Sequence, residues 1–181
     1  MESLVSNLHI NRIYSQGAGR LSQVARKAYY DHFRYLWEDG GVSYVQAMFS
    51  EDALHRDLAD PQTRYYLASQ DQHPVGYLKI NLKAPLDEYK NALELSRIYL
   101  TKEGAGQGIG KKLVQQCFEE AVVRQKEVVW LKVLESSEDS IAFYRKQGFV
   151  KHADITFRYP RLKNRSLPMY IMKKIMPNHA H

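Results

Sequence analysis

Cysteine occurs once in the chain, so no internal disulfide can form and stability has to come from packing. Long apolar runs are missing as well. None approaches the roughly 18 residues of a membrane span, and the N-terminus MESLVSNLHINRIY has no basic region followed by an apolar one. Neither a membrane nor an exported protein is expected, and the chain reads as cytoplasmic. The seven histidines show no metal-ligand spacing, and residues 177–181, with His179 and His181, read as a flexible tail, so no metal is expected. Positive charge is short in one half only. Residues 1–96 carry 10 Lys/Arg against 12 Asp/Glu, and residues 97–181 carry 16 against 8. The surplus in the second half is scattered and lacks a helix-turn-helix pattern, so no nucleic-acid partner is expected.

What is present describes one domain spanning 1–181. The length and an apolar fraction of 44% suffice for an ordinary core. Leu8 to Tyr14 alternates as a half-exposed strand, with Gly17 and Gly19 ending it. Apolar residues from Leu21 to Trp37 recur at three and four, which predicts an amphipathic helix closed by Gly40 and Gly41. Val42 to Leu58 predicts a second helix. Thr63–Ser69 and Val75–Lys83 read as a hairpin around a turn at 70–74. Val128 to Leu134 reads as a buried strand, and Ser136 or Ser137 as the cap of a short helix ended by Gly148. Phe149–Tyr159 and Pro168–Ile175 form a last strand pair. Cys117 falls on the stripe Ile109, Leu113, Val114, Cys117, Phe118 and Ala121, which assigns it to packing rather than chemistry.

The most informative stretch is LELSRIYLTKEGAGQGIG, residues 93–110, leading directly into KKLVQQCFEEAVVRQ. A strand gives way to Gly104, Gly106, Gly108 and Gly110 and then to a helix, whose free N–H groups and dipole favour a phosphate. A nucleotide P-loop fails on spacing, because Ala105 stands where its first glycine belongs and Lys112 where its Ser or Thr belongs. The dinucleotide fingerprint fails too, since Ile109 or Lys111 would have to be glycine.

Ala105-Gly106-Gln107-Gly108-Ile109-Gly110 resembles the Q/R-x-x-G-x-G/A pyrophosphate loop of the GCN5-related N-acetyltransferase (GNAT) superfamily. The downstream SSEDSIAFYRKQGFV resembles that family's second signature, and VGYLKIN, LELSRIYL and SIAFYRKQGFV look closest to its PaiA-type polyamine acetyltransferase branch. The resemblance implies an α/β GNAT fold: a mixed, mostly antiparallel sheet flanked by helices. It also implies an N-acetyltransferase that uses acetyl-coenzyme A to acetylate a primary amine, as a small polyamine such as spermidine or spermine. A protein N-terminal acetyltransferase and a non-catalytic acyl-CoA sensor are the alternatives, and a homodimer is compatible with the motifs.

By family position, Glu94 would be the general base, with Ser96 on the same strand face ordering a water, and Tyr144 would be the general acid. Backbone amides at Ile98, Tyr99 and Leu100 would meet the thioester oxygen. Ala105, Gly106, Gln107, Gly108, Ile109, Gly110 and Lys111 would hold the pyrophosphate, and Ser137 the pantetheine arm. Two positions depart from the pattern besides Ala105: Ser137 and Ser140 stand where Asn and Ala are usual. The helical pair would border the acceptor, offering Tyr29, Tyr30, Tyr35, Trp37, Glu38, Asp39, Tyr44, Glu51 and Asp52 to a cationic amine.

Overall fold

The computed structural model describes residues 7–177; the rest of the expected tail, 178–181, lies outside the described residues. One seven-stranded sheet organises the chain, in the order β1-β2-β3-β4-β5-β7-β6. The strands are β1 (Leu8–Ile13), β2 (Thr63–Gln70), β3 (His73–Asn81), β4 (Ala92–Leu100), β5 (Val128–Leu134), β6 (Val150–Arg158) and β7 (Ser166–Ile175). All neighbouring pairs are antiparallel except β4 and β5, so the sheet is mixed and mostly antiparallel as expected.

Helices cover both faces. On one face lie α1 (Ala18–Phe33), α2 (Val42–Phe49) and α3 (Glu51–Ala59), and on the other α4 (Ile109–Val123) and α5 (Glu138–Lys146). Leu21, Val24, Ala25 and Tyr29 of α1 pack with Val45, Phe49 and Leu54 onto Tyr65, Leu67 and Tyr77 of the sheet. The opposite layer joins Ile109, Leu113, Val114, Cys117 and Ala121 of α4 to Leu78, Ile80, Leu93, Leu95, Val129 and Leu131. Cys117 is fully buried, and burial pushes its thiol pKa up, in keeping with a packing role.

Several expected boundaries shift for identifiable reasons. The helix expected over 42–58 is two helices. Ser50 is extended (φ −63°, ψ 153°) and its hydroxyl accepts the Ala53 N–H at 3.3 Å, capping α3, whose first turn carries Glu51 and Asp52. The helix expected over 21–37 begins earlier, at Ala18, and ends at Phe33 in a 3₁₀ turn over Arg34–Leu36. Gly19 therefore lies inside α1 rather than ending a strand. The β2–β3 connection is tighter than 70–74: Asp71 (φ 48°) and Gln72 (φ 68°) alone make a left-handed two-residue turn. Pro74 belongs to β3, beside a bulge where Ser69 faces Pro74 but Ala68 faces Gly76. Ser137 stands at the start of α5, yet its hydroxyl makes no capping bond.

Two irregularities of β4 shape everything that follows. Lys79 pairs with Arg97 but Ile80 with Leu95, so Ser96 is an extra residue that bulges out of the ladder. On the other edge, β4 pairs with β5 only over Ala92–Glu94 against Val128–Trp130. Beyond Glu94 the two strands part, while β4 stays paired to β3 and β5 to β7. The result is a V-shaped opening in the middle of the sheet.

Candidate active site

A cavity of about 280 Å3 occupies that opening. Its β4 wall is Glu94 to Tyr99, its β5 wall Lys132 to Leu134, and its floor Ser137, Ser140 and Tyr144 from α5. Above them stand Tyr29, Phe33, Trp37 and Tyr44 from the α1–α2 region, facing Phe157, Leu167 and Met169 of the β6–β7 hairpin. The α1–α2 region is strapped to the β6–β7 hairpin beside it. Trp37 bridges Leu162, the Glu38 N–H donates to the Arg161 carbonyl at 2.9 Å, and the Lys163 N–H donates to the Leu36 carbonyl at 3.0 Å.

Glu94 and Tyr144, expected from the sequence to act together, both line this space. Glu94 is 8% exposed; its carboxylate accepts from Asn81 Nδ2 at 2.7 Å, and Lys132 Nζ lies 3.3 Å from its other oxygen. Asn81 is the cross-strand partner of Glu94, so the sheet register holds the carboxylate in place. Tyr144 packs edge-on against Phe143 (5.1 Å between centroids) and Phe149 (5.7 Å). Burial raises its phenol pKa, as do the neighbouring Tyr99 and Cys117, so the hydroxyl keeps its proton throughout the physiological range.

Ser96 also lines the cavity, but not through simple alternation with Glu94. The bulge shifts strand parity, so Leu93 and Leu95 face the α4 layer, as do Ile98 and Leu100, while Tyr99 packs in the α1 layer. Ile98 and Tyr99 border the cavity, and from Leu95 onward the β5-facing edge of β4 has no strand partner. Backbone amides are thus available where an oxyanion would need donors.

The glycine corner lies beside the cavity rather than in its lining. Ala105, Gly106, Gln107 and Gly108 are exposed, and Ile109 is buried at the start of α4. Gly106 (φ 74°) and Gly108 (φ 75°) are left-handed, with nothing within 4 Å of where a Cβ would stand, so the bend is open and favours glycine. Among the described residues, no N–H from Gly106 to Lys111 donates to a protein acceptor; the first helical bond is from Lys112 to the Gly108 carbonyl. Such a row of unpaired donors at a helix N-terminus suits a pyrophosphate.

The corner is held from two sides. The bulged Val75 carbonyl accepts the Thr101 N–H at 2.9 Å, and from α1 Asp31 accepts the Lys102 N–H at 2.9 Å. His32 Nε2 lies 2.8 Å from the Leu100 carbonyl. Gly110 faces Phe143 of α5 (3.4 Å to its would-be Cβ), which joins the open bend to the helix bearing Tyr144. Lys111 and Lys112 are exposed, and the Gln107 side chain is tied to Gln70 at 2.7 Å and to the Glu103 carbonyl at 2.5 Å.

The acceptor side corrects the sequence reading. Of the residues offered to a cationic amine, Tyr29, Trp37 and Tyr44 line the cavity, but Tyr30, Tyr35, Glu38, Asp39, Glu51 and Asp52 do not. Asp39 instead accepts from the Gly41 and Ser43 N–H groups at the start of α2. The acids stay outside because the α1–α2 segment turns its aromatic side inward. Sequence reasoning missed Arg97, Lys132 and Asn81. Lys132 is the one charge in VVWLKVL, and an isolated lysine in a buried strand was a usable signal.

A split mixed sheet, with a row of unpaired backbone donors on one side and an aromatic pocket holding a carboxylate on the other, is an arrangement suited to group transfer between two adjoining substrates. The chain belongs to the Acetyltransferase (GNAT) family, whose profile it matches over residues 24–149, and it is an acetyl-CoA-dependent N-acetyltransferase. It is 31% identical over 118 residues to an uncharacterized N-acetyltransferase from the pepI 3' region of Lactobacillus delbrueckii subsp. lactis, covering 64% of this chain and 68% of that one. The crystal structure of PaiA N-acetyltransferase from Thermoplasma acidophilum, in complex with coenzyme A, superposes with a TM-score of 0.75 at 20% identity, over 94% of this chain and 99% of that one. A putative acetyltransferase from Acinetobacter baylyi ADP1 gives 0.74 at 16% identity, over 98% and 97%. At these identities the two structures attest the fold. No helix among the described residues is long and apolar enough to cross a membrane, and none of their side chains cluster as a metal site.

Proposed function

We propose that the protein moves an acetyl group from acetyl-coenzyme A to the primary amine of a small cytoplasmic molecule, with Glu94 as base and Tyr144 as acid. The observation that carries this reading is that Glu94 and Tyr144 line one cavity whose floor helix touches the open glycine corner through Phe143 and Gly110. The backbone N–H groups of residues 106–111 would hold the pyrophosphate, with Ala105 beside them and Lys111 adding charge from the exposed first turn. The pantetheine arm would pass Ser137 toward the opening between β4 and β5, and the bound thioester supplies the electrophilic carbonyl.

Glu94 takes a proton from the ammonium of the acceptor, directly or through a water near Ser96, which frees the nitrogen lone pair. As the N–C bond forms, amides at Ile98 to Leu100 donate to the carbonyl oxygen. The C–S bond then breaks, Tyr144 gives its proton to the departing sulfur, and the second proton lost by the nitrogen as the amide forms passes to the Tyr144 phenolate, restoring the acid.

A polyamine acceptor draws support from the overall likeness to PaiA. The charge of the cavity lining weighs the other way: Glu94 is its one carboxylate, against Arg97 and Lys132. The strap at Trp37 and Leu162 favours a small molecule over a protein N-terminus. The test is release of free thiol from acetyl-coenzyme A with a panel of primary amines. Amine-dependent release that falls by ~10² or more at pH 7 in each of the Glu94→Gln and Tyr144→Phe variants is expected; release at the wild-type rate in both sinks these assignments.

A further inference from the structure

Acetyl transfer as described makes no use of Arg97. Arg97 lines the cavity from β4, three residues beyond Glu94, and the Ser96 bulge puts Arg97 and Tyr99 toward the α1 layer. Its guanidinium forms no ion pair with a carboxylate among the described residues. The nearby Asp57 is already taken by Lys79 at 2.6 Å and by the Tyr65 hydroxyl at 2.5 Å. Arg97 instead lies beside the phenols of Tyr65 and Tyr99 and 5.0 Å over the Phe49 ring.

The surroundings hold more donors than acceptors. A guanidinium carries five N–H groups and no acceptor, more donors than the two neighbouring phenol oxygens could take. The hydroxyl of Tyr77, near Arg97 but outside the cavity lining, is buried with no hydrogen-bond partner among the described residues, so it takes nothing from the guanidinium. The Trp37 indole donates to the Tyr29 oxygen at 3.0 Å, so the phenolic proton of Tyr29 is left to give elsewhere. A cation already occupies the aromatic corner, and it belongs to the protein. A second ammonium there, as in a polyamine, would meet Arg97, whereas an anionic oxygen would meet unclaimed donors.

We propose that the acceptor is an amine that also carries a carboxylate, received by Arg97 while the amine is presented to Glu94. This rests on the acetyl-transfer reading and narrows its acceptor. Phe33, Trp37 and Phe157 line the same cavity with apolar surface, which suits a hydrocarbon or aromatic body linking the two charged ends. The arrangement matches a zwitterion: a carboxylate for the positive end, an ammonium for the negative one.

The test compares matched acceptors in the thiol-release assay: phenylalanine against phenethylamine, 6-aminohexanoate against pentylamine, and spermidine. In at least one pair the acid should exceed its decarboxylated partner, and spermidine, by about tenfold or more in kcat/KM. Arg97→Met should collapse that ratio toward one, chiefly through the KM of the acid, and Arg97→Lys should retain part of it. Tyr44→Phe, which keeps the ring stacked on Trp37 at 4.7 Å but removes a hydroxyl from the cavity wall, should lower the ratio several-fold; if Arg97→Met does not fold, the lysine and Tyr44 variants decide. Ratios at or below one in both pairs, a preference for spermidine, or a ratio unmoved by these variants overturns the carboxylate site and leaves acetyl transfer standing. Absence of thiol release with every amine overturns both.

Discussion

Replacing Glu94 with glutamine removes the proposed proton acceptor and little else, so its consequences can be worked out from the site. The glutamine amide oxygen can still accept from Asn81 Nδ2, now at 2.7 Å from a carboxylate oxygen. Lys132 loses an ion pair at 3.3 Å, but its side chain is 45% exposed and can turn to water. A pair of that kind contributes roughly 0–1 kcal/mol, so the variant should fold, and a change in rate would not be a change in stability. A primary alkylamine of pKa about 10.4 is neutral in only about one molecule in 2,500 at pH 7. Without a base the enzyme depends on that fraction. Turnover at pH 7 should fall by ~10²–10³, within the range ascribed to general bases. The residual rate should then climb about tenfold per pH unit from 7 to 9, following the free amine, while the wild type climbs less. Steady-state thiol release across that range, with circular dichroism confirming the fold, measures both. A variant that keeps wild-type turnover at pH 7, or whose pH profile parallels the wild type, refutes Glu94 as the base.

Tyr144→Phe should lower kcat by ~10² or more with coenzyme affinity within a few-fold of wild type by calorimetry, because the ring contacts with Phe143 and Phe149 persist; unchanged kcat removes the acid role. Gly108→Ala meets no atom within 4 Å but is forced to φ 75°, a strain of ~1–2 kcal/mol, and should weaken coenzyme binding about tenfold, whereas unaltered binding would place the pyrophosphate elsewhere. Tyr77→Phe removes a buried hydroxyl without a partner and should leave the urea midpoint equal or higher; a clear loss of stability would reveal an acceptor. For Asp57, burial opposes ionisation, but the Lys79 and Tyr65 bonds outweigh it and hold the folded pKa below the usual 3.8. Its stabilisation is therefore complete above the unfolded pKa and lost as pH falls through the folded one, so Asp57→Asn should flatten the decline in stability below about pH 4, seen as a smaller shift in urea midpoint between pH 5 and 3 than in wild type.

The parts of the fold legible in the sequence were those where one local signal dominates. Val128–Leu134 is a β-branched apolar run buried along most of its length, and β5 begins and ends on those residues. The α4 stripe of Ile109, Leu113, Val114, Cys117 and Ala121 is buried as its spacing required. The break at Ser50 was harder, because an apolar period continues on both sides of it and only the Ser-Glu-Asp sequence betrays a new N-terminus. The candidate site divides the same way. Glu94, Tyr144 and the glycine bend lie on contiguous motifs, whereas the acceptor wall is assembled from α1, α2, β5, β6 and β7, and no linear pattern says which of its tyrosines or acids turn inward. The Ser96 bulge did leave a trace: apolar residues at 93 and 95 and then at 98 and 100 are out of phase by one, which an unbroken strand does not do.

That phase slip ties the two ends of the reaction together. In a regular strand Glu94 and Arg97 would point to opposite faces, and Arg97 would enter the apolar layer of Leu93, Leu95 and Leu113, where an unpaired guanidinium is costly. One extra residue moves Arg97 and Tyr99 into the α1 layer, among Tyr65, Tyr77 and Phe49, and sends Ile98 and Leu100 into the apolar layer instead. The bulge falls where β4 leaves β5, since pairing ends at Glu94. A strand bonded on both edges would resist such an insertion; a strand held only by β3 can accept it. The parting that would make room for a thioester and the bulge that would offer Arg97 to the acceptor thus meet at one point of β4, and a change that restored pairing between 95–97 and 131–133 should close the first and misdirect the second.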